Sequence, residues 1–435
     1  MCLLLQLLLA FAFTHQVHSQ SPPGFISLDC GLCVINGYND AITGLYYSTD
    51  GAYIETGEGR SISPEFQTNS VPRQFLNLRS FPGPSGTRNC YTFIPLYGKL
   101  KKILLRVGFM YGNYDDQRTV PQFDMYLGVD IWETVTFKDS SSFFITEIIH
   151  KPTSDYVHVC LVNTGLGTPF ISVIELRPID PPTFSAYNPS SGSLKFFARW
   201  DMGSTSNNFV RYKDDDYDRI WKPVNQLNTT ILSSNAASFN QNFFDLPPVI
   251  LNTAAQAPST QDPLNVTFVP NNSSDQFYFY VHFAELVANQ SREMTIYLNG
   301  YLWYKPFVPP YLTVSSLLSS APYSSSAFVF IINSTTNSKL PAILNAIEAY
   351  TVKQFPHSET NESDVAAIIG IKTTYGITRN WQGDVCLPKD FAWIGINCSY
   401  NGFEPPTIIS LNLSSSGLTG TIAPAISNLT MLQSL

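Results

Sequence analysis

Charge is scarce in this 435-residue chain: Asp, Glu, Lys and Arg together make up 13%, and the formal net charge is −8. With 25 basic residues against 33 acidic ones, no broad basic footprint exists to neutralise phosphates, which excludes nucleic acid as a partner. The one basic cluster, Lys99, Lys101, Lys102 and Arg106, reads as a solvated edge strand that discourages aggregation. Histidine is rarer still, and beyond the N-terminal leader only His150, His158, His282 and His357 remain. No His-Glu-x-x-His or Gly-x-Ser-x-Gly occurs. A carboxylate pair at glycosidase spacing can always be found among 33 acidic residues and so carries no information. We expect no catalytic residue, metal or cofactor. Long hydrophobic runs are also missing after the first few residues, and none reaches the roughly 20 residues of a spanning helix.

Aromatic residues are abundant at 14%, alongside 30 Pro and 25 Gly, and the hydrophobic fraction of 44% is ample for real cores. This composition points to many short strands joined by turns, a mainly β chain of two or three domains. One stretch organises it. LLRVGFMYGNYDDQRTVPQFDMYLGVDIW, Leu104 to Trp132, returns as FYFYVHFAELVANQSREMTIYLNGYLW, Phe277 to Trp303. Each copy opens with an alternating strand (Leu105, Val107, Phe109; Phe279, Val281, Phe283) and ends in a Tyr-Leu strand before Gly128 or Gly300. Such patterning predicts half-buried antiparallel strands in a module present twice.

Residues 1–19 read as a secretory signal peptide, with Val17 and Ser19 before the cleavage point. Sequons agree with that route: Asn228, Asn265, Asn271, Asn272, Asn289, Asn333, Asn361, Asn397, Asn412 and Asn428 each precede x-Ser or x-Thr. Loss of the leader removes Cys2 and leaves an even number of cysteines for an oxidising compartment. Cys386 and Cys398, remote from the others, are expected to pair. Cys30, Cys33, Cys90 and Cys160 allow three connectivities.

The expected order is a first lobe over residues 24–178, a Pro- and Ser-rich linker over 179–193 and a second lobe over 194–352. A helix and cysteine-paired cap then occupy 353–404, with Ser363 or Asp364 capping the helix and Gly376 ending it. From 405 to 435, Leu411, Leu413, Leu418, Ile422, Leu429, Leu432 and Leu435 fall at leucine-rich-repeat offsets. About one and a half repeats cannot close a core, so the chain is expected to be a fragment or truncated product. The acidic run Asp214, Asp215, Asp216, Asp218 lacks the Gly and distal Glu of a calcium loop and reads as a charged turn with Tyr217 and Trp221 packed inward. Sugar recognition needs aromatic faces with polar rims. The loop Tyr111, Asn113, Tyr114, Asp115 supplies that chemistry, with Tyr46, Tyr47, Tyr91 and Trp200 as supplements. The cleft between the lobes is an equally good ligand position.

Ordered motifs carry a family resemblance: FISLDCG at Phe25, the RNCY text ending at Tyr91, YGNYD at Tyr111, FDMYLGVDIW at Phe123, VCLVNTG at Val159, DDDYDRIW at Asp214, LPAILNAIE at Leu340 and NWQGDVC at Asn380. The chain resembles the extracellular part of a plant malectin-like leucine-rich-repeat receptor kinase. Where that family usually has Gly-Asp-Pro-Cys, this chain has Val385, and the kinase motifs are missing. The resemblance implies two tandem jelly-roll-type β-sandwich lobes ahead of the repeats. It also implies ligand sensing at the extracellular side of the plasma membrane. Cell-wall carbohydrate or a secreted peptide is the implied ligand, and a co-receptor kinase is engaged through the repeats. The alternative is a secreted, lectin-like apoplastic binding protein or decoy without a signalling role.

Overall fold

The computed structural model describes residues 21–33, 36–179, 192–225, 228–400 and 405–435. The expected leader, and most of the expected linker, lie outside them. A nine-stranded sheet runs through both lobes. Its first half takes the order Ile26–Asp29, Val173–Ile179, Lys102–Met110, Phe143–His150; its second half takes Ser193–Asp201, Ala346–Lys353, Phe277–Phe283, Ser315–Leu318. The short Lys222–Pro223 strand lies parallel beside Ser193–Asp201. Each lobe adds a four-stranded sheet: Arg88–Phe93, Val157–Leu166, Gln122–Leu127 and Asp130–Val135 in the first, Leu264–Phe268, Phe328–Ser334, Met294–Leu298 and Tyr301–Phe307 in the second. The two lists have the same topology, so the sequence echo is a structural duplication.

The lobes join edge to edge. Ile148 pairs with Lys195 and Ile149 with Leu194, which makes two half-sheets continuous. Two apolar clusters form, and that of the second lobe also takes in Leu104, Ile149 and Ile179 from first-lobe strands. One cluster gathers Leu105, Val107, Phe109, Phe123 and Trp132, the other Trp221, Phe268, Phe279, Phe330 and Ile347.

Strands Lys102–Met110 and Phe277–Phe283 are buried at every position, not half-buried as the alternation predicted. The cause is a second cover. Leu105, Val107 and Phe109 enter the first core, while Arg106 belongs to a row of charges closed over by the segment around residues 209–221. The expectation of a solvated basic edge therefore fails for Lys102 and Arg106, which are 5% and 4% exposed on an inner strand.

The row alternates in sign across neighbouring strands. Arg106 donates to Glu175 at 2.5 Å and to Glu147 at 2.7 Å; Arg199 donates to Glu147 at 2.9 Å and to Glu348 at 2.8 Å. Strand register places Glu175 opposite Arg106, Arg106 opposite Glu147, and Arg199 opposite Glu348. Glu147 thus bridges an arginine from each lobe. Asp218 accepts from Arg177 at 2.9 Å and Arg211 at 2.8 Å, while Asp215 accepts from Arg219 and the Trp221 indole, both at 2.8 Å. Five arginines therefore face five carboxylates, as burial of charge demands. Burial pushes the Glu147 carboxyl up, and Arg199 and Arg106 pull it back below its ordinary value. The acidic run is thus a turn with two faces: Asp214 and Asp216 are exposed as a charged turn would have them, while Asp215 and Asp218 are buried against the sheet; Trp221 is buried as expected.

After Lys353 the chain crosses back to the first lobe. The helix Glu362–Tyr375 is capped by Asn361, whose side chain accepts from the Ser363 N–H. The cap lies just before the expected one because Asn361 has the non-helical backbone a cap needs. Gly376 ends the helix at φ 60°. Cys386 is bonded to Cys398, and Trp381 stacks on Trp393 with centroids 5.0 Å apart inside a third core. Cys90 bonds its cross-strand neighbour Cys160, while Cys30 and Cys33 remain free thiols, so the even count is not used up. No helix among the described residues is long and apolar enough to cross a membrane.

Candidate functional site

The residues chosen for sugar chemistry divide among three places. Tyr111, Asn113, Tyr114 and Asp115 share one loop, where the Tyr111 hydroxyl donates to Asp115 and Tyr114 hydrogen-bonds Ser80 at 2.9 Å. Tyr111 is fully buried, and Tyr114 packs on Phe170 with centroids 5.4 Å apart. Asn113 is also buried; its side-chain oxygen accepts from the Arg118 N–H at 2.8 Å. Tyr47 is buried with its hydroxyl on Glu175, and the Tyr46 hydroxyl accepts from the Gly37 N–H. Tyr91 is buried and donates to Asp50 at 2.7 Å. Trp200 lies in the other lobe, stacked on Phe268 at 4.3 Å. Only the half-buried Tyr46, Tyr114, Asp115 and Trp200 of this set reach solvent. The sequon asparagines are all exposed or half-exposed.

A larger concavity lies where the first lobe meets the C-terminal cap. Several contacts hold this seam. The Gln382 side-chain Oε1 accepts from the Cys90 N–H at 2.9 Å, the Asn380 side-chain amide donates to the Ser85 carbonyl, and Arg88 donates to the Leu387 carbonyl at 3.0 Å. Lys99 pairs with Glu362 at 2.6 Å and Lys372 with Glu55 at 3.2 Å. Gly383 has φ 65°, and a Cβ there would lie 2.0 Å from Arg88 Nη2 and 2.7 Å from Cys90 Sγ. Only glycine allows that approach.

Between these contacts the seam encloses a cavity of about 620 Å³. The first lobe contributes Tyr53, Ile54, Glu55, Thr92, Ile94, Asp155, Tyr156 and His158; the cap contributes Glu359, Glu362, Val365, Ala366, Ile369, Lys372, Trp381, Asp384 and Trp393. Its size and mixed apolar and polar lining match those of a ligand pocket. Burial pushes His158 down to about 4, so the imidazole is neutral near pH 6 to 7. Burial likewise raises the Glu359 carboxyl, and the charges of Asp384 and Glu362 add to the rise. Burial lowers the Arg88 guanidinium to about 10, partly offset by Asp384.

None of these lining residues was singled out as a site from sequence. They come from stretches around residues 53, 92, 156, 365 and 384, and nothing local marks them as neighbours. The only available signal was Trp381 and Trp393 flanking the cysteine interval.

Residues 28–352 match the malectin-like domain family. The chain is 42% identical over 434 residues to an Arabidopsis thaliana protein named "Probable LRR receptor-like serine/threonine-protein kinase At1g05700", covering 98% of this chain and 49% of that one. It is 41% identical over 440 residues to the Arabidopsis thaliana LRR receptor-like serine/threonine-protein kinase IOS1, covering 99% and 48%. The chain thus spans about half the length of these curated relatives. Among solved structures, the ANX1 ectodomain from Arabidopsis thaliana superposes with a TM-score of 0.63 at 14% identity, over 76% of this chain and 97% of that one. The FER chain crystallised with the plant peptide RALF23 and LLG2 gives 0.61 at 15% identity, over 77% and 96%. At these identities the likeness establishes the fold.

Proposed function

The chain belongs to the malectin-like family, and from that premise we propose that it is the extracellular ligand-sensing region of a plant receptor-like kinase. Its ligand is a secreted peptide or a cell-wall carbohydrate. The observation that carries this reading is the seam cavity, large enough for a few side chains or sugar rings and walled by two separately folded parts of the chain. A ligand held there bears on both walls at once. Binding therefore biases the position of the cap against the first lobe, which is the requirement for passing a signal along the chain. The structural neighbour crystallised with a peptide and a second protein supports peptide recognition and a co-receptor for this kind of domain. The receptor kinases of which this chain spans about half support the membrane setting.

Residues 405–435 are read as the first coil of a repeat array. A parallel bridge between Ser410 and Ser434 and the buried Ile408, Leu411, Ala423 and Leu429 support that reading. The Tyr111–Asp115 loop, with Tyr46, Tyr47 and Trp200, remains a second candidate surface. Tyr114→Ala tests it through glycan affinity.

The test is a binding screen of the purified, secreted and glycosylated chain against plant cell-wall oligosaccharides and synthetic secreted-peptide sequences. Saturable binding of at least one ligand without its turnover is expected. Failure of every ligand to saturate, or hydrolysis of any saccharide, would contradict the proposal.

A further inference from the structure

We infer that the seam cavity takes a basic peptide segment, with an arginine or lysine side chain entering beside Glu359 and Asp155. This rests on the ligand-sensing reading and narrows it to one chemical class. The lining carries five carboxylates (Glu55, Asp155, Glu359, Glu362, Asp384) and a single lysine, Lys372, with no arginine. Three of the five are already engaged. Glu55 is held by Lys372 and Glu362 by Lys99, while Asp384 accepts from the Thr360 N–H and hydroxyl and from the Cys386 and Leu387 N–H groups. Glu359 accepts from neutral hydroxyls, Thr153 at 3.2 Å and Ser154, and Asp155 accepts from the Lys99 backbone N–H at 3.3 Å. Neither forms an ion pair among those of the described residues; the Lys99 ammonium that Asp155 also attracts is bonded to Glu362, and Glu359 faces no cation. A half-buried carboxylate placed near two more negative groups is stabilised by an incoming cation, which also neutralises the excess charge of the lining.

The aromatic residues decide between peptide and sugar. A pyranose needs an open indole or phenol face, but the half-buried phenols of the lining already pack on rings, Tyr53 on Phe93 at 5.1 Å and Tyr156 on His158 at 6.3 Å. Trp381 and Trp393 are 3% and 7% exposed and stack on each other. Their N–H groups are spent on the Ile394 and Gln382 carbonyls. A small free cation is also a poor match, because the apolar surface continues past the cavity. Ile94 lines it, and Leu96 and Leu100 follow on the same loop, the three being 66%, 55% and 80% exposed. Exposed apolar residues continuing from a charged pocket suit a peptide alternating basic and aliphatic side chains.

The test titrates the intact secreted chain by calorimetry at physiological ionic strength. The probes are amidated Arg-Leu-Arg-Leu-Arg, its Glu-Leu-Glu-Leu-Glu counterpart, spermine and cellotetraose. Saturable binding of the arginine peptide alone is expected. Glu359→Gln combined with Asp155→Asn should weaken it by about tenfold or more, as for lost hydrogen bonds to a charged group. Ala366→Trp, at an exposed helix position on the cavity wall, should block the cavity without disturbing the core, while the remote Asp262→Asn should change nothing. Melting temperatures establish that each variant is folded. Unchanged affinity in both the double variant and Ala366→Trp would overturn the inference, as would equal binding of spermine or cellotetraose. If the arginine peptide fails while another peptide or glycan saturates the chain, this inference falls and the ligand-sensing reading stands. If nothing in either panel binds, that reading falls too.

Discussion

Replacing Glu147 by glutamine leaves the shape of the inter-lobe row intact and removes its central negative charge. Glu147 receives Arg106 from the first lobe through one oxygen, at 2.7 and 2.9 Å, and Arg199 from the second through the other at 2.9 Å. All three side chains are at most 5% exposed. Without the charge, two buried guanidiniums face each other across the lobe junction, and water cannot screen them. Breaking one side of a buried pair costs about 3–5 kcal/mol. The second step is sharper. Adding Arg199→Met removes the neighbouring positive charge and restores the balance of the row, so the double variant should lose at least about 1 kcal/mol less than the two single losses together. Urea unfolding followed by tryptophan fluorescence reads this directly, because the buried Trp221 lies beside Arg199. A Glu147→Gln loss below about 1 kcal/mol, or strictly additive losses, would refute the idea that the alternating charges act as one unit.

Three further outcomes follow from the seam and its cap. Gly383→Ala forces a Cβ against Arg88 and Cys90, so hydrogen exchange should show early opening of Glu362–Tyr375 while the two lobes keep their protection; protection equal to the parent would refute the close approach. Asn361→Ala removes the helix N-cap and should cost about 1 kcal/mol, whereas Asn361→Asp removes the sequon yet keeps a capping oxygen; equal melting of the two would contradict the assignment. Burial sets the folded pKa of His158 at about 4 against an unfolded value of 6.5, so the unfolded chain binds the extra proton between those values. Stability from this group is complete above pH 6.5 and is lost as pH falls towards 4, by up to about 3 kcal/mol, so the difference between the parent and His158→Gln should shift by that much across the window. A pH-independent difference would count against the buried imidazole.

The duplication was legible because apolar alternation and Tyr-Leu-Gly endings survive in both copies. The cap was legible because Trp381, Cys386, Trp393 and Cys398 sit close together in sequence. What could not be read was the role of charge. Arg106, Asp215 and Asp218 look in sequence like residues for solvent, and only the fusion of two half-sheets, with a segment folded over them, buries them in pairs. That fusion rests on a short edge pairing at Ile148 and Ile149, with no local motif to announce it. The return of the cap to the first lobe was equally silent, since contacts such as Cys90 with Gln382 join residues hundreds of positions apart. Tyr47 and Tyr111, chosen for their chemistry, turned out to occupy the first core.

The most direct measurement is hydrogen exchange of the intact secreted chain with and without a saturating ligand. The account predicts new protection in three separate stretches at once: residues 51–55, residues 154–158 and the helix Glu362–Tyr375, which together wall the seam cavity. Protection confined to the 111–117 loop or to the second lobe, with the seam unchanged, would contradict it.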